Sequence, residues 1–150
     1  MEVQRNEFFI STARDRMDVD FIHDYLCNQS YWAQGRSRDV VEKSIWNSLC
    51  FGVFEGEQQV GFARVVTDTV TFAWLCDVFI APSHQGRGLG KWLIESVVAH
   101  PDLGSVKNIL LITRDAHELY RNYGGFEPIS RVNDWLRRSG ETVKPGNSAL

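Results

Sequence analysis

Asp77-Val78-Phe79-Ile80-Ala81-Pro82-Ser83-His84-Gln85-Gly86-Arg87-Gly88-Leu89-Gly90-Lys91 reads as an apolar strand that runs into a glycine-rich loop and opens onto a helix. The helix follows at once, because Leu89, Leu93 and Val97 fall on one face with Ile94 and Val98 beside them. Three alternating glycines ahead of a helix leave backbone N–H groups uncovered by side chains. Those groups point at whatever sits over the helix N-terminus, where the dipole also favours negative charge. Arg87 and Lys91 add positive charge nearby. This is chemistry for holding phosphates.

Spacing narrows the phosphate ligand. A dinucleotide fingerprint needs G-x-G-x-x-G, but counting from Gly86 and Gly88 the third glycine position is Lys91. A Walker A loop ending at Gly90-Lys91 needs Ser or Thr next and a glycine at its start, and those positions are Trp92 and Gln85. Both nucleotide patterns fail on named residues. What is left is Gln85-Gly86-Arg87-Gly88-Leu89-Gly90, a Q-x-x-G-x-G loop.

Working outward, Glu7 to Thr12 reads as a first strand, and Asp18 as the N-cap of a helix through Leu26. A polar loop, Asn28 to Ser37, leads to a second helix from about Asp39 through Val40, Ile45 and Leu49. Strands Cys50–Phe54 and Gln59–Val66 flank the turn Glu55-Gly56-Glu57-Gln58, and a further strand, Phe72 to Ile80, feeds the glycine loop. The loop helix stops near His100, ahead of Pro101-Asp102-Leu103-Gly104. Lys107 to Thr113 is a continuous apolar run expected of a strand buried on both faces. A short helix, Ala116 to Asn122, precedes Gly124-Gly125, and Phe126 to Trp135 reads as a closing strand. The expected fold class is α/β, a mixed, mostly antiparallel central sheet flanked by helices in the order β-α-α-β-β-β-α-β-α-β(-β). Residues 1–150 form one domain with its core at about 8–135, and 138–150, polar with Gly140, Pro145 and Gly146, is expected to be a flexible tail.

Composition excludes several function classes. No apolar run approaches the length of a membrane span, and Met1 to Glu7 lacks the basic start and apolar core of a signal peptide. A net charge of −3 argues against general nucleic-acid binding. Cys27, Cys50 and Cys76 form no C-x-x-C pair and no zinc set with the four histidines, so no metal is expected. The chain reads as cytoplasmic, with reduced thiols.

The Q-x-x-G-x-G loop, together with the element order, resembles the GNAT acetyltransferase superfamily. A second stretch, Ala116-His117-Glu118-Leu119-Tyr120 followed by Gly124-Gly125-Phe126, is similar to the family's A-x-x-L-Y-x-x-x-G-F. The resemblance covers about Phe8 to Trp135. It departs in two places. Thr113 stands where the family usually has Asn, and an additional glycine precedes Phe126. The resemblance implies acetyl-CoA as co-substrate, with its pyrophosphate on Gln85, Gly86, Arg87, Gly88, Leu89, Gly90 and Lys91. It implies a splayed strand edge at Val78, Phe79 and Ile80 for the pantetheine arm, and Thr113 as a further contact. It also implies that two copies can associate through the last strand.

Acetyl transfer from a thioester to an amine poses three physical problems. The amine must lose a proton, and with a pKa near ~10.4 only about one in 10³ is free base near neutrality, a cost of about 4 kcal/mol. The oxyanion needs donors fixed in advance, which the backbone N–H groups of Val78, Phe79 or Ile80 can supply. The departing thiolate needs a proton. Asp77 is the expected base, on the strand that feeds the loop, and Tyr120 the expected acid, since the matching family tyrosine sits at the sulfur. Tyr123 is displaced around the helix. For the acceptor, Tyr31 and Trp32 wall the site or anchor the core, with Arg64, Asp68 and Trp74 close by. Asp68 and Asp77 together favour a cationic amine, whereas Arg36 and Arg64 favour one bearing a carboxylate. The sequence does not decide.

The reading is thus an N-acetyltransferase for a primary amine, a small molecule before a protein amino group, working by direct attack in a ternary complex. Cys76 has no histidine base to support an acetyl-enzyme. The alternatives are a non-catalytic acyl-CoA binding module and a transferase for a longer acyl group.

Overall fold

The turn at Gly56-Glu57 closes a hairpin because Gly56 takes φ +57, a conformation that costs glycine nothing. In the computed structural model, which describes residues 1–138, that hairpin joins β3 (Leu49–Glu55) to β4 (Gln58–Thr67). The remaining strands are β1 (Glu2–Arg5), β2 (Phe8–Ser11), β5 (Phe72–Ile80) and β6 (Asn108–Leu110). They lie in sequence order in a single sheet, antiparallel throughout except for the parallel pair β5 and β6. A parallel pair needs a crossover, and α3 (Leu89–Val98) lies within it. The mixed, mostly antiparallel α/β sheet is as the sequence led us to expect.

Each face of the sheet is covered by helices whose apolar residues recur at helical spacing. On one face α3 buries Leu89, Trp92, Leu93, Ile94 and Val97 against strand residues such as Phe51 and Leu75. Fully buried side chains of this kind contribute about 1.5–3 kcal/mol each. The other face carries α1 (Val19–Asp24), a π-helical turn at Tyr25–Gln29, and α2 (Arg38–Trp46). Ile22, Leu26, Val41 and Ile45 meet Phe62 and Phe79 there. Asp18 caps α1 as its sequence position suggests, its carboxylate accepting from the Phe21 N–H at 3.0 Å. A fourth helix, α4 (His117–Gly124), packs on α3.

Four expectations need correction. An additional strand, β1, precedes the first one expected, and it folds back through Asn6 at φ +53. Asn tolerates that left-handed conformation better than most residues. The run from Lys107 is strand only over Asn108–Leu110, and it is half-buried, with Ile112 81% exposed. Its outer edge has no neighbouring strand among the described residues, so burial on both faces does not arise. Phe126 to Trp135 is irregular with one 3-10 turn, Val132–Asp134, and leaves Ile129, Val132 and Trp135 exposed. Finally, the second glycine of Gly124-Gly125 is no strand bulge. Gly125 sits at φ +68 and ends α4, its N–H bonding Arg121 O at 3.2 Å, while Phe126 N–H reaches Tyr120 O at 3.2 Å. Gly124 meets a different demand, since a Cβ there would lie 2.7 Å from the Phe126 ring and 2.9 Å from Ile94. The expected flexible tail falls almost wholly on residues 139–150, outside the described residues.

Two irregularities in β5 position the site. Phe62 pairs with Phe79 and Arg64 with Cys76, so Asp77 and Val78 share the single residue Ala63. This β-bulge reverses the side-chain alternation. Leu75 points to the α3 face, whereas Phe79 points to the α1 and α2 face. Pairing with β6 also ends at Trp74 and Leu110, although β5 continues to Ile80. Beyond that point the two strands part and leave a wedge.

Candidate functional site

The glycine loop forms one end of the site. Gly86 and Gly88 adopt φ +78 and +79, and a Cβ on either would meet nothing within 4 Å. Conformation, not space, requires glycine here. Gly88 is the residue before α3 and no side chain caps the helix, so the first-turn amides of Leu89, Gly90 and Lys91 stay free of intrahelical partners. They open onto a cavity of about 340 Å³ lined by residues that include Ile80, Gln85, Gly86, Lys91 and Leu119. Gln85 fastens the loop, donating Nε2–H to Ile80 O at 3.0 Å.

The two cations expected there have different positions. Lys91 lines the cavity with Nζ 5.0 Å from the Tyr123 ring centre, and the neighbouring Tyr123 raises its pKa. Arg87 turns its side chain away from the cavity. It bonds Glu7 at 2.7 Å, lies 3.5 Å from Glu55 and stacks on Phe8 at 4.5 Å. His84, which no sequence motif singles out, joins this anchor through Nε2 to Glu55 at 3.0 Å and Nδ1 to Ser83 at 2.8 Å. The loop is thereby tied to β2 and β3, with the Arg87 side chain paired to Glu7 and Glu55.

From the loop, the free edge of β5 leads into the wedge. Ala81 N–H bonds Val60 O at 2.8 Å and Phe79 pairs with Phe62. Alternation therefore turns the N–H and C=O of Val78 and Ile80 toward the side that β6 has left. Phe79 is the exception among the three residues expected to offer this edge. Its backbone faces β4, and its ring is buried and stacked on Tyr25 at 3.8 Å. Thr113 stands past the end of β6, where its Oγ1 accepts the Ala116 N–H at 3.1 Å and holds the start of α4. Its own hydroxyl proton remains to be donated.

Tyr120, on α4, meets Phe126 edge to face with ring centres 5.9 Å apart. Burial first, then the neighbouring Tyr31, Asp115 and Cys76, push its phenol up to about 12. It is a proton-bearing group at every physiological pH. Cys76, half-buried beside it, is pushed up to about 11 mainly by burial, so it is a thiol and a poor nucleophile near neutrality.

Asp77 is held from three sides. Arg64 Nε donates to its carboxylate at 2.8 Å, an Arg36 guanidinium nitrogen at 2.9 Å, and Trp32 Nε1 at 3.2 Å. Its side chain is 2% exposed, and its backbone takes φ +53. Both carboxylate oxygens are committed, and two positive charges surround one negative charge. Arg64 also donates to Ser48 Oγ at 3.0 Å. Tyr31 and Trp32, expected either to wall the site or to anchor the core, are not core anchors. Both are about 40% exposed, and they lie edge to face at 4.9 Å. The Tyr31 hydroxyl accepts the Arg114 N–H at 3.3 Å, with the Arg114 guanidinium over its ring at 4.0 Å. The loop is thus strung from the β5 bulge to the connection between β6 and α4. Trp74 is half-buried on the same sheet face.

Asp68 does not join Asp77. Its carboxylate accepts from the N–H groups of Val70, Thr71 and Phe72 and from the Thr71 hydroxyl, which holds its pKa far below the usual range. It builds the turn between β4 and β5, four residues beyond Arg64, roughly 13 Å at extended spacing. The acidic pocket those two residues would have made is absent. Sequence reasoning also missed the clasp itself, since Arg36 and Asp77 lie 41 residues apart in the chain.

Comparison with known proteins adds to this geometry. The acetyltransferase (GNAT) domain family matches residues 46–127. A crystal structure of a candidate acetyltransferase of the GNAT family from Xanthomonas campestris pv. campestris superposes with a TM-score of 0.86 at 40% identity, covering 91% of this chain and 96% of that one. A candidate acetyltransferase of Gibberella zeae is 29% identical over 84% of this chain and 88% of its own length. At 13% identity, a structure from Clostridium acetobutylicum described as an acetyltransferase with acetyl-CoA shares the fold, with a TM-score of 0.65 over 88% of this chain and 94% of that one.

Proposed function

Because the chain belongs to the GNAT acetyltransferase family, we propose that it transfers an acetyl group from acetyl-CoA to a primary amine, by direct attack within a ternary complex. One observation carries this reading. The uncapped N-terminus of α3 opens onto a cavity that is also lined by Ile80, on the open edge of β5, and by Leu119, the residue before the buried Tyr120.

The residues fit the co-substrate in parts. Free amides at Leu89, Gly90 and Lys91, with the Lys91 ammonium, suit a pyrophosphate. The N–H and C=O of Val78 and the N–H of Ile80, whose C=O already accepts from Gln85, suit an amide-bearing arm, which pairs with them as an added strand would. A Val78 N–H held rigid by the bulge is a fixed donor for a developing oxyanion. The amine lone pair attacks the thioester carbonyl carbon, the C–S bond breaks, and the sulfur leaves with the electron pair. Tyr120 donates a hydrogen bond to that sulfur. With a phenol at about 12 and a thiol near ~8.5, complete proton transfer in the apo environment is uphill by about 5 kcal/mol. Tyr120 therefore acts chiefly as a donor; it gives its proton to the sulfur only as the attacking nitrogen becomes cationic, and the proton which that nitrogen then loses restores the phenol through solvent, leaving an amide and a free thiol.

Asp77 takes a different role from the one its position on the strand suggested. A carboxylate that accepts from two guanidinium groups and an indole N–H, with its side chain 2% exposed, is engaged in holding the structure. It positions the bulge and the Tyr31-Trp32 loop, and the amine sheds its proton to solvent before attack. Acetyl-CoA-dependent thiol release across a panel of amines, with Tyr120→Phe alongside, tests the reading. Turnover that falls by a factor of about 10² or more in kcat is expected. Acetyl-CoA binding with no thiol release on any amine would instead favour a binding module.

A further inference from the structure

The clasp around Asp77 is not charge-balanced. Arg36 and Arg64 bring two positive charges to one carboxylate that is 2% exposed, while their own side chains are 24% and 13% exposed. Arg36 gives Asp77 one hydrogen bond at 2.9 Å, and among the described residues no second acceptor for its guanidinium is within reach. The surplus is one positive charge on a planar, fork-shaped donor set, partly removed from water. Arg114 over Tyr31 adds a cation on the rim, and the neighbouring Asp115, which acts on Tyr120 and Tyr25, offsets it, so the surplus stays at one positive charge.

The surplus faces the reaction site. Arg64 is the cross-strand neighbour of Cys76, one strand spacing of about 5 Å away. Arg64, Asp77 and Arg36 all act electrostatically on Cys76, and Cys76 acts on Tyr120. The row from Tyr120 through Cys76 to the arginine pair thus links the hydrogen-bond donor for the sulfur to an unmatched guanidinium. Beside the pair, the Trp32 indole bonds Asp77, and Tyr31 and Trp32 are about 40% exposed.

Resting on the acetyltransfer reading, we infer that the acceptor is an amino-acid-type amine, whose carboxylate pairs with the Arg36 guanidinium beside Asp77 while its nitrogen faces the wedge. A single carboxylate makes the clasp two cations to two anions, and guanidinium forks hold carboxylates in bidentate fashion. A phosphate brings nearly two negative charges where only one is unmatched. A diamine would bring a second cation to a site already in positive surplus, and desolvation makes that repulsion costly.

The test pairs each amino acid with its decarboxylated partner in the thiol-release assay: phenylalanine with phenethylamine, lysine with cadaverine, and β-alanine with ethylamine, with phosphoethanolamine set against β-alanine. The acid is expected to exceed its partner in kcat/KM by about tenfold or more, the worth of one charge-assisted hydrogen bond. Arg36→Gln is expected to shrink that ratio at least tenfold, through KM, and Arg36→Lys to shrink it less. Thermal unfolding confirms that both variants fold. Preference for the bare amines, preference for phosphoethanolamine over β-alanine, or an unchanged ratio in Arg36→Gln would each overturn the inference. If no amine is turned over, the transferase reading fails separately. The carboxylate site is then read by calorimetry of N-acetylphenylalanine against N-acetylphenethylamine in saturating CoA. A tenfold preference lost in Arg36→Gln supports the inference, and equal binding refutes it.

Discussion

Replacing Asp77 by Asn removes one charge and little else. Asn tolerates φ +53 nearly as well as Asp and keeps an oxygen that can accept one of the three bonds. What is lost is the anion between guanidinium groups at 2.8 and 2.9 Å. Removing one member of a buried ion pair typically costs about 3–5 kcal/mol, because the partner charges stay behind unpaired. Here Arg64 and Arg36 retain 13% and 24% exposure and regain some hydration, which places the cost at the lower end, about 3 kcal/mol. For a chain of this size that lowers Tm by about 6–12 °C. Thermal unfolding by circular dichroism reads it directly. A positioning role predicts a large Tm loss and a pH–rate profile of unchanged shape in the fraction that stays folded. A Tm within about 2 °C of the unaltered protein, with kcat down a hundredfold and the acid limb of the profile gone, would show that Asp77 is the base and refute this account.

Further outcomes follow from the same geometry. Gly88→Ala forces a side chain to φ +79, costing about 1–2 kcal/mol, and it weakens acetyl-CoA binding; Gly56→Ala at φ +57 loses similar stability but no affinity, as paired unfolding and calorimetry will show. Cys76→Ala retains turnover, and mass spectrometry of the unaltered protein with acetyl-CoA finds no acetyl-cysteine, because a thiol at about 11 is almost wholly protonated at neutral pH. Plots of kcat/KM against pH rise about tenfold per unit until the amine's own pKa, near ~10, with no loss from Tyr120 before about 12. The folded-state pKa of Tyr120 lies above the free value near 10. Its contribution to stability is therefore complete below pH 10 and is lost as pH climbs toward 12, which alkaline unfolding of Tyr120→Phe will reveal by a shallower decline.

The parts of this molecule legible in its sequence are those encoded locally. The glycine loop, α3 and the strand that feeds them announce themselves because φ signs, helical periodicity and turn residues act within a few positions. The Asp18 cap and the turn around Gly56 belong to the same class. The rest depended on partners distant in the chain. Asp77 looked available because neither Arg64 nor Arg36 is a sequence neighbour, and Asp68 looked like a pocket acid although it spends its oxygens on Val70, Thr71 and Phe72. The bulge leaves only a change of alternation between Leu75 and Phe79, which one strand read alone cannot separate from a fully buried run. Phe126 to Trp135 has strand-like composition, but a strand needs a partner edge, and none pairs with it among the described residues. Arg87 shows the same limit, a cation beside a phosphate loop that Glu7 and Glu55 claim first.

The most direct test of the central claim is calorimetric titration of the protein with acetyl-CoA beside acetyl-pantetheine, which lacks the pyrophosphate. The account predicts saturable one-to-one binding of acetyl-CoA, and affinity for acetyl-pantetheine lower by an order of magnitude or more, since the free amides of α3 then have no anion to hold. Equal affinity for the two, or no binding of acetyl-CoA, would contradict it.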